Sequence, residues 1–325
     1  MHEYDTLLAG RAEATFFHTR AWARIVTQAF PALQDCSRIA VRDGERFALP
    51  LFRWRRLGGL LRTTHSSFPF LYGGPIPATQ RGWEAFWEHV ARLGASFTVL
   101  GNPFAPADGT QAAAAPAATG PETTHLLRLP PSVEQYWSEV LTSRKRNDIR
   151  RLTRKGVAIE RSRDPADIAA VYALYRRRME SWDRRPGLVY PLALYRAMVA
   201  AGSDAVRLYI ARFEGRLIGG TFVVRHNGIV HYNAGYFDDG ARRLRPNVLI
   251  QERIIRDAIE AGYRCYDFLP SAGLENVAAF KESFGGVATA FPRWEQVGRT
   301  QRWVRHLRKR GAGAPSADSA SGERA

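Results

Sequence analysis

One lysine near the end of the chain combines a useful charge with apolar surroundings. Lys281 lies in VAAFKESFGG, among small residues and phenylalanines, and it is one of only four lysines among the 47 basic residues. An ammonium is a compact charge whose pKa responds to burial, whereas a guanidinium is a planar fork. Such a charge would stabilise the oxyanion that forms during acyl transfer. The alternative is a lysine at a helix end whose ammonium reaches solvent.

A carboxylate stands near the end of the run YRCYDFL, which predicts a buried strand. Open α/β sheets bind ligands at the carboxyl ends of their strands, and Asp267 lies at such an end. It would accept the proton of an incoming amine, directly or through water. Alternatively, Asp267 anchors the following loop by hydrogen bonds.

The predicted strand 229–238 carries two more candidates for acid–base work. Strict alternation places His231 on one face of this strand and Tyr236 on the other. His231 would act as a base, and Tyr236 would donate a hydrogen bond. A buried, hydrogen-bonded structural role is the alternative for each.

A basic loop precedes the helix predicted for PNVLIQERIIRDAIEAG. The amides of residues 248–250 are expected at the start of this helix, beside three arginines. Free amides at a helix N-terminus bind phosphate, and arginines reinforce this binding. The predicted donor-binding residues are Arg242, Arg243, Arg245, Asn247, Val248 and Leu249. A solvated basic loop is the alternative.

The predicted helix 143–155 is strongly basic, with seven Lys or Arg residues against the single acid Asp148. Helical spacing puts Arg146 and Arg150 on one stripe. These two side chains are candidates for contact with an acceptor or with tRNA phosphates, and a general basic surface is the alternative.

The order of elements predicts two domains with separate roles. Residues 1–125 contain short strands, a hairpin at Asp43-Gly44 and a flexible Ala/Pro loop at 105–124. Residues 126–297 follow the order helix, helix, three antiparallel strands, helix, strand. Residues 298–325 are expected to be a basic segment with a disordered tail.

Composition limits the function classes. The chain has 325 residues and a net charge of +16, which predicts attraction to polyanions, including nucleic acid and an anionic membrane face. Two cysteines without ligand spacing predict neither a disulfide framework nor a metal site. A catalytic triad, a P-loop and a dinucleotide fingerprint are missing from the sequence. No secretory signal or membrane-spanning stretch is visible, so we expect a cytoplasmic protein.

Several segments, taken in order, resemble one protein family. RKRNDIRRLTRKGVAIE, YNAGYFDD, LRPNVLIQERIIRDAIEAGYRCYDF and FKESFGG resemble the FemAB-like branch of the GNAT acyltransferase superfamily, the peptidoglycan-bridge aminoacyltransferases and their relatives. FFHTRAWARIV and PFLYGGP also fit this branch. The resemblance implies an α+β protein with two GNAT-like domains, each a mixed, mostly antiparallel sheet flanked by helices.

The resemblance also implies a cleft at the junction of the domains, where an acyl or aminoacyl group passes to an amine. The predicted acceptor-binding residues are Tyr72, Gly73, Arg146, Arg150 and His231, and the predicted catalytic residues are Lys281, Asp267 and Tyr236. The usual acetyl-CoA pyrophosphate loop is absent, since no glycine lies between residues 244 and 250.

The co-substrate implied by the resemblance is an acyl-CoA, an acyl-carrier protein or an aminoacyl-tRNA, with no tightly bound cofactor and no metal. The implied acceptor is an amine of a cell-envelope precursor, a polysaccharide or a small molecule. Peripheral contact with an anionic membrane fits the positive charge. The rival hypothesis is a catalytically inactive GNAT fold that binds RNA or another polyanion.

Overall fold

A computed structural model of the chain describes residues 3–68, 71–106, 111, 115–116, 118–181, 189–201, 204–271 and 273–303. The longer helices are α1 Glu3–Leu8, α2 Arg20–Ala29, α3 Gln80–Leu93, α4 Ser143–Thr153, α5 Pro165–Glu180, α6 Leu192–Ala200, α7 Pro246–Glu260 and α8 Glu275–Glu282, and a short α-helical turn Val133–Gln135 continues into a π-helical turn Tyr136–Val140 before α4. The strands are β1 Leu33–Asp35, β2 Arg38–Arg42, β3 Glu45–Leu49, β4 Phe52–Arg56, β5 Leu61–His65, β6 Phe97–Leu100, β7 Gly120–Arg128, β8 Ala158–Ser162, β9 Val206–Phe213, β10 Arg216–His226, β11 Ile229–Phe237, β12 Cys265–Asp267 and β13 Val287–Gln296.

Strand pairing joins the two halves of the chain into one sheet of 11 strands, in the order β1-β4-β5-β6-β13-β7-β12-β11-β10-β9-β8. The late strand β13 pairs with β6 on one side and with β7 on the other. Two pairings are parallel, β5 with β6 and β11 with β12, and the others in this sheet are antiparallel. The predicted α+β class, with a mostly antiparallel sheet flanked by helices, is confirmed. Strand β7 crosses residue 125, and the division into two domains stays a prediction.

The largest apolar core is shared by both halves. Phe17 and Trp22 of the first half pack in one cluster with Tyr175 and Phe222 of the second. The opposite face of the second-half sheet packs against α4 and α7 in a separate cluster. Burial of this apolar surface from both halves is the main force that holds them together.

Local sequence signals explain the hairpins and the first long helix. Asp43 and Gly44 both adopt positive φ, 50° and 78°, in the turn between β2 and β3. Asn227 and Gly228 do the same, at 44° and 74°, between β10 and β11. Thr19 caps α2 as expected, because its hydroxyl accepts a hydrogen bond from the amide of Trp22.

Two expectations about connecting segments need correction. The predicted loop 105–124 extends too far, because residues 120–124 belong to β7 and pair with β13. The helix expected from Pro131 to Gly156 is interrupted at Leu141, and Thr142 caps the new helix α4. Residues 107–110, 112–114 and 117 of the predicted loop, and the predicted disordered tail from 304 onward, lie outside the described residues.

Candidate functional site

A bulge interrupts the pairing between β10 and β11. Phe222 pairs with Ala234, but the next residue, Val223, pairs with Tyr232, which leaves Asn233 without a residue opposite it. A bulge bends its strand and strengthens the local twist, and bulges are frequent beside active sites.

The extra residue also changes which side chains share a face. His231 lies 4.8 Å from Phe17, ring centroid to ring centroid, and Tyr236 packs against the same core cluster. The expectation that His231 and Tyr236 point to opposite faces is therefore wrong, because alternation restarts after Asn233. The hydroxyl of Tyr236 lies 2.9 Å from that of Tyr195, and burial raises the pKa of Tyr236, so it remains a protonated donor.

Just before the bulge, β11 separates from its neighbour β12. The two strands are parallel and pair at only three positions, from Ile229 with Cys265 to His231 with Asp267. Strand β12 then ends, whereas β11 continues to Phe237. The separation leaves a gap in the sheet at the carboxyl ends of these strands, where α/β sheets bind ligands.

A groove with a volume of about 460 Å³ opens at this gap. Its walls are the end of β11, the 3-10 turn Asp239–Leu244, the start of α7 and one face of α8. The lining residues are Arg178, Tyr232, Gly235, Tyr236, Phe237, Asp238, Asp239, Arg242, Arg245, Pro246, Asn247, Asn276, Val277 and Phe280. Small-molecule sites usually measure about 300–1,000 Å³, so the groove is large enough for one arm of a substrate.

Three predicted donor-binding residues line this groove: Arg242, Arg245 and Asn247. Arg245 forms an ion pair with Asp148 of α4. Arg242 is exposed and has no ion-pair partner in the part of the chain that the structure describes. An anionic group in the groove would therefore meet an uncompensated guanidinium at its mouth.

The predicted phosphate cradle of backbone amides is not formed. Helix α7 begins at Pro246, which has no N–H, and the amide of Val248 donates to the carbonyl of Arg245 at 2.9 Å. From the fifth helical residue onward, amides bond within the helix. Two of the three amides that the expectation invokes, those of Val248 and Ile250, are already bonded because the helix begins two residues earlier, and the amide of Asn247 is offered to a ligand instead.

The remaining donor candidates lie outside the groove wall. Val248 and Leu249 are 0% and 4% exposed and pack in the core beneath the groove. The carbonyl of Arg243 accepts a hydrogen bond from the ammonium of Lys155 at 2.7 Å, which fixes the turn against the end of α4. The predicted donor contact of Val248 and Leu249 is through their backbone amides, and their apolar side chains belong to the core.

Asp267 is the centre of a buried hydrogen-bond network. Its Oδ1 accepts from the hydroxyl of Thr124 at 2.7 Å, the amide of Leu269 at 2.9 Å and the hydroxyl of Tyr72 at 3.2 Å. Its Oδ2 lies 2.7 Å from Nδ1 of His231. Asp267, His231 and Tyr72 are all 0% exposed. Two residues predicted separately, His231 and Asp267, are thus brought together as a dyad.

Lys281 holds the backbone that follows Asp267 at Leu269. Its side chain is buried and its ammonium donates to the carbonyl of Leu269 at 2.5 Å. Burial lowers the pKa of Lys281 to about 8, and the charge of Asp267 opposes this shift. Leu269 has a left-handed φ of 57°, so Asp267 and Lys281 together fix a strained backbone position where the strands separate. The alternative interpretation, a lysine whose ammonium reaches solvent, is therefore excluded.

The predicted cleft at Tyr72 and Gly73 is closed in this structure. Both residues are buried, although Tyr72 does meet His231, at 6.3 Å between ring centroids. A Cβ on Gly73 would lie 2.5 Å from the backbone oxygen of Ser66. The glycine is therefore required by packing against the chain itself, and direct acceptor contact by Gly73 is wrong for this conformation.

Arg146 and Arg150 lie away from both the groove and the Asp267 network. Arg146 donates to the carbonyls of Trp137 and Leu141, both at 2.6 Å, and so caps the preceding helical turn. Arg150 lies over the ring of Trp137, at 5.6 Å. Their role as acceptor ligands stays a prediction, with one guanidinium bonded to carbonyls and the other exposed over the half-buried ring of Trp137.

Two features of the site escaped the sequence analysis. Lys145 of α4 is buried, with its ammonium 4.2 Å from the ring centroid of Phe284 and 5.5 Å from that of Phe280, a groove residue. Its rarity among 43 arginines was the available signal. A Cβ on Gly235 would lie 2.1 Å from the hydroxyl of Tyr232, so glycine keeps that hydroxyl in the groove. No sequence pattern predicts this contact, because it depends on the bulge.

Other classes of site receive no support within the described ranges. No group of three or more His, Cys, Asp or Glu residues there has metal-binding geometry. No helix among the same residues is long and apolar enough to span a bilayer.

Comparison with known proteins agrees with this fold. A family model for the GNAT acetyltransferase domain matches residues 143–282. The crystal structure of FemX is similar with a TM-score of 0.69 at 13% identity, covering 94% of this chain and 97% of FemX. The C-terminal domain of a putative lysylphosphatidylglycerol synthetase from Agrobacterium fabrum gives 0.54 at 13% identity, with 94% and 97% covered. L-PGS from Bacillus licheniformis gives 0.52 at 11% identity, with 85% and 89% covered. No curated protein matches the sequence significantly. The expected GNAT fold, in the form that FemX also has, is confirmed.

Proposed function

We propose that this chain, an N-acyltransferase of the GNAT superfamily, moves an acyl or aminoacyl group from an activated carrier to an amine of a cell-envelope precursor, a polysaccharide or a small molecule. The observation that carries the proposal is the groove at the gap between β11 and β12. It gives an extended acyl-carrying arm a channel whose wall includes Phe280 and Tyr232, the chain neighbours of Lys281 and His231. The reaction would take place in the cytoplasm.

The carrier enters along the wall formed by the turn 239–244 and the start of α7. Arg242 and the amide of Asn247 provide contacts for a phosphate or another anionic group of the carrier. An acyl-CoA, an acyl-carrier protein and an aminoacyl-tRNA all offer such a group. Acetyl-CoA is bound through its pyrophosphate, and helix α7 begins at Pro246 without the cradle of amides that would hold this group tightly. A CoA thioester is therefore the least favourable of the three carriers.

Lys281 supplies the charge for the tetrahedral intermediate. The amine attacks the carbonyl carbon of the ester or thioester, the carbonyl oxygen becomes an oxyanion, and the carrier leaves when the carbonyl reforms. An ammonium has three donors, and the bond to Leu269 uses one of them. The other two are available for an oxyanion in a site from which water is excluded. Phe280, which lines the groove, directly precedes Lys281 along the chain.

The His231–Asp267 dyad removes the proton from the attacking amine. Nδ1–H of His231 donates a hydrogen bond to Oδ2 of Asp267, so the other ring nitrogen, Nε2, carries a lone pair. Nε2 is buried and has no hydrogen-bond partner among the residues that the structure describes. A base in this state is ready to accept a proton from a substrate that reaches it. Tyr236, at the groove wall, donates a hydrogen bond to the departing carrier atom.

The direct test supplies each of the three carriers with a panel of amines and detects acylated products by mass spectrometry. Transfer from one carrier class, abolished in a Lys281→Met variant, is the expected result. Mass spectrometry of molecules that co-purify with the chain would narrow the panel. Absence of transfer from all three carriers would contradict the proposal.

Arg242→Gln is expected to raise the KM for the carrier about tenfold and to leave kcat nearly unchanged, because a guanidinium at the groove mouth binds the ground state and the transition state alike. Arg243→Gln is the matched control, since its neighbouring guanidinium is exposed and does not line the groove. Steady-state kinetics at constant ionic strength measures both. Equal effects of the two substitutions would mean that general charge, and not the groove contact, binds the carrier.

One observation favours the rival function, an inactive fold that binds a polyanion. Helix α4 and the turn that follows it expose the cations Arg144, Arg150, Arg151, Arg154 and Lys155. RNA binding with a steep salt dependence, without acyl transfer, would support this function. RNA binding together with transfer from aminoacyl-tRNA would instead make α4 part of the carrier site.

A further inference from the structure

The hairpin between β4 and β5 ends in an exposed tip that mixes leucines and arginines. We define the hairpin tip as residues 55–62, with the sequence RRLGGLLR. Leu57 is 53% exposed and Leu60 is 64% exposed. Positive φ at Leu57, Gly58 and Gly59 turns the chain so that both leucines project from the protein. Exposed leucines held on one protruding turn are unusual for a surface that only meets water.

The charges of the tip are uncompensated. Arg55, Arg56 and Arg62 are exposed, and none of them forms an ion pair with a carboxylate of the described ranges. By contrast, Arg20 and Arg42 of the same half of the chain pair with Asp35 and Glu84. The tip therefore carries a local positive charge that the protein itself does not neutralise.

A shallow cavity of about 550 Å³ lies beside the tip, lined by Arg55, Arg56, Gly58 and the segment 31–34. Its position next to two guanidinium groups suits an anionic headgroup. A further apolar side chain, Trp303, is 62% exposed and belongs to a segment that meets β5 through Gln301 and Thr63, at 3.5 Å. Tryptophan is enriched at membrane–water interfaces.

We propose that the hairpin tip docks the protein on anionic lipid membranes, with Leu57 and Leu60 inserted at the boundary of headgroups and acyl chains. Arg55, Arg56 and Arg62 bind the lipid phosphates around them. Apolar insertion and electrostatic attraction reinforce each other in peripheral binding, and neither alone is strong. A soluble nucleic acid would use the arginines but would leave the leucines in water, so the combination favours a membrane.

Docking at the tip leaves the groove uncovered. Five strand spacings of the sheet separate β5 from β11. At about 4.8 Å each, they amount to about 24 Å. Membrane docking therefore does not depend on the proposed acyl transfer, and variants of the tip are expected to transfer acyl groups to a soluble amine at the wild-type rate.

Co-sedimentation of the full chain with vesicles tests the proposal. We expect binding to vesicles of one part phosphatidylglycerol to two parts phosphatidylcholine, and little binding to pure phosphatidylcholine. Leu57→Ser combined with Leu60→Ser is expected to lower the partition coefficient about tenfold or more. Arg55→Gln combined with Arg56→Gln is expected to lower it about 10–30-fold.

Two control variants make the same kinds of substitution, apolar to serine and arginine to glutamine, at exposed positions outside the tip. Val41→Ser removes an apolar side chain that is 68% exposed on another hairpin. Arg150→Gln combined with Arg151→Gln removes the same charge from α4. Both controls should bind within about twofold of the wild type. The proposal would be overturned if the α4 variant lost as much vesicle binding as the tip variants, or if the double leucine variant bound like the wild type. It would also be overturned if the wild-type protein bound neutral vesicles as well as anionic ones. Thermal unfolding of each variant verifies that it is folded.

Discussion

Replacing Lys281 by methionine is expected to lower turnover by about 100–1000-fold, which corresponds to ~3 kcal/mol of transition-state stabilisation. The KM for the carrier should change little, because the oxyanion exists only in the transition state. Methionine keeps most of the volume of the buried stem and removes the charge. Lys281→Arg should restore little activity, because a planar fork does not occupy the place of one ammonium. Steady-state kinetics of the two variants measures both effects.

The control must distinguish a role of Lys281 in the reaction from its structural role, the hydrogen bond that holds the backbone of Leu269. Lys281 also holds the carbonyl of Leu269, and an unpaired buried carbonyl costs about 1–3 kcal/mol. Lys145→Met removes another buried ammonium, whose pKa burial also lowers to about 8. If both variants lose similar stability but only Lys281→Met loses turnover, Lys281 acts in the reaction. Wild-type turnover in a folded Lys281→Met variant would show that the lysine is an anchor alone.

The same substitution makes a prediction for the pH dependence of stability. The pKa of Lys281 is about 8 in the folded protein, below its ordinary value of 10.5, so the unfolded chain binds more protons between these two pH values. Stability due to this group therefore rises with pH across that window. The free energy of unfolding of the wild type, minus that of Lys281→Met, should increase by ~3 kcal/mol from pH 7.5 to 10.5. Chemical denaturation at several pH values measures the difference, and a constant difference would contradict a buried, charged lysine.

Sequence reasoning succeeded where short-range chemistry decides the structure. The turns at Asp43-Gly44 and Asn227-Gly228 follow from residues that tolerate positive φ, and the structure has both. The unusual position of Lys281 followed from its apolar neighbours, and the structure buries it. Arg242 lies in the groove wall because the turn that carries it leads into a helix beside the gap, and its role in donor binding stays a prediction.

The arrangement of the site required information that local patterns do not contain. The extra residue Asn233 shifts every later side chain of β11, yet Asn233 is compatible with a regular strand. The partners of Asp267 come from Tyr72, Thr124 and His231, up to 195 residues away along the chain. Contacts of this kind depend on how the whole sheet closes, and strand order within an 11-stranded sheet does not follow from periodicity.

Asp267→Asn is expected to preserve the fold and to lower turnover at least about 100-fold. The amide oxygen keeps the three donors that Oδ1 now accepts, from Tyr72, Thr124 and Leu269. The amide nitrogen then faces Nδ1 of His231, and it donates where Oδ2 accepted. His231 must carry its proton on Nε2, so the lone pair proposed to accept the substrate proton is lost. The same change in a Ser-His-Asp triad lowers turnover about 10⁴-fold for this reason.

Asp267→Ala separates this chemical role from the structural one. It leaves buried donors of three side chains and one amide without an acceptor, which should cost about 3–5 kcal/mol and lower the melting temperature by more than ~5 °C. Thr124→Val is the matched control, because it removes one donor to Oδ1 and leaves the contact with His231 intact. Activity should follow the state of the His231–Asp267 pair and not the melting temperature. If Asp267→Asn turns over like the wild type while Asp267→Ala unfolds, the carboxylate only anchors the turn at Leu269, and the proton must leave by another route.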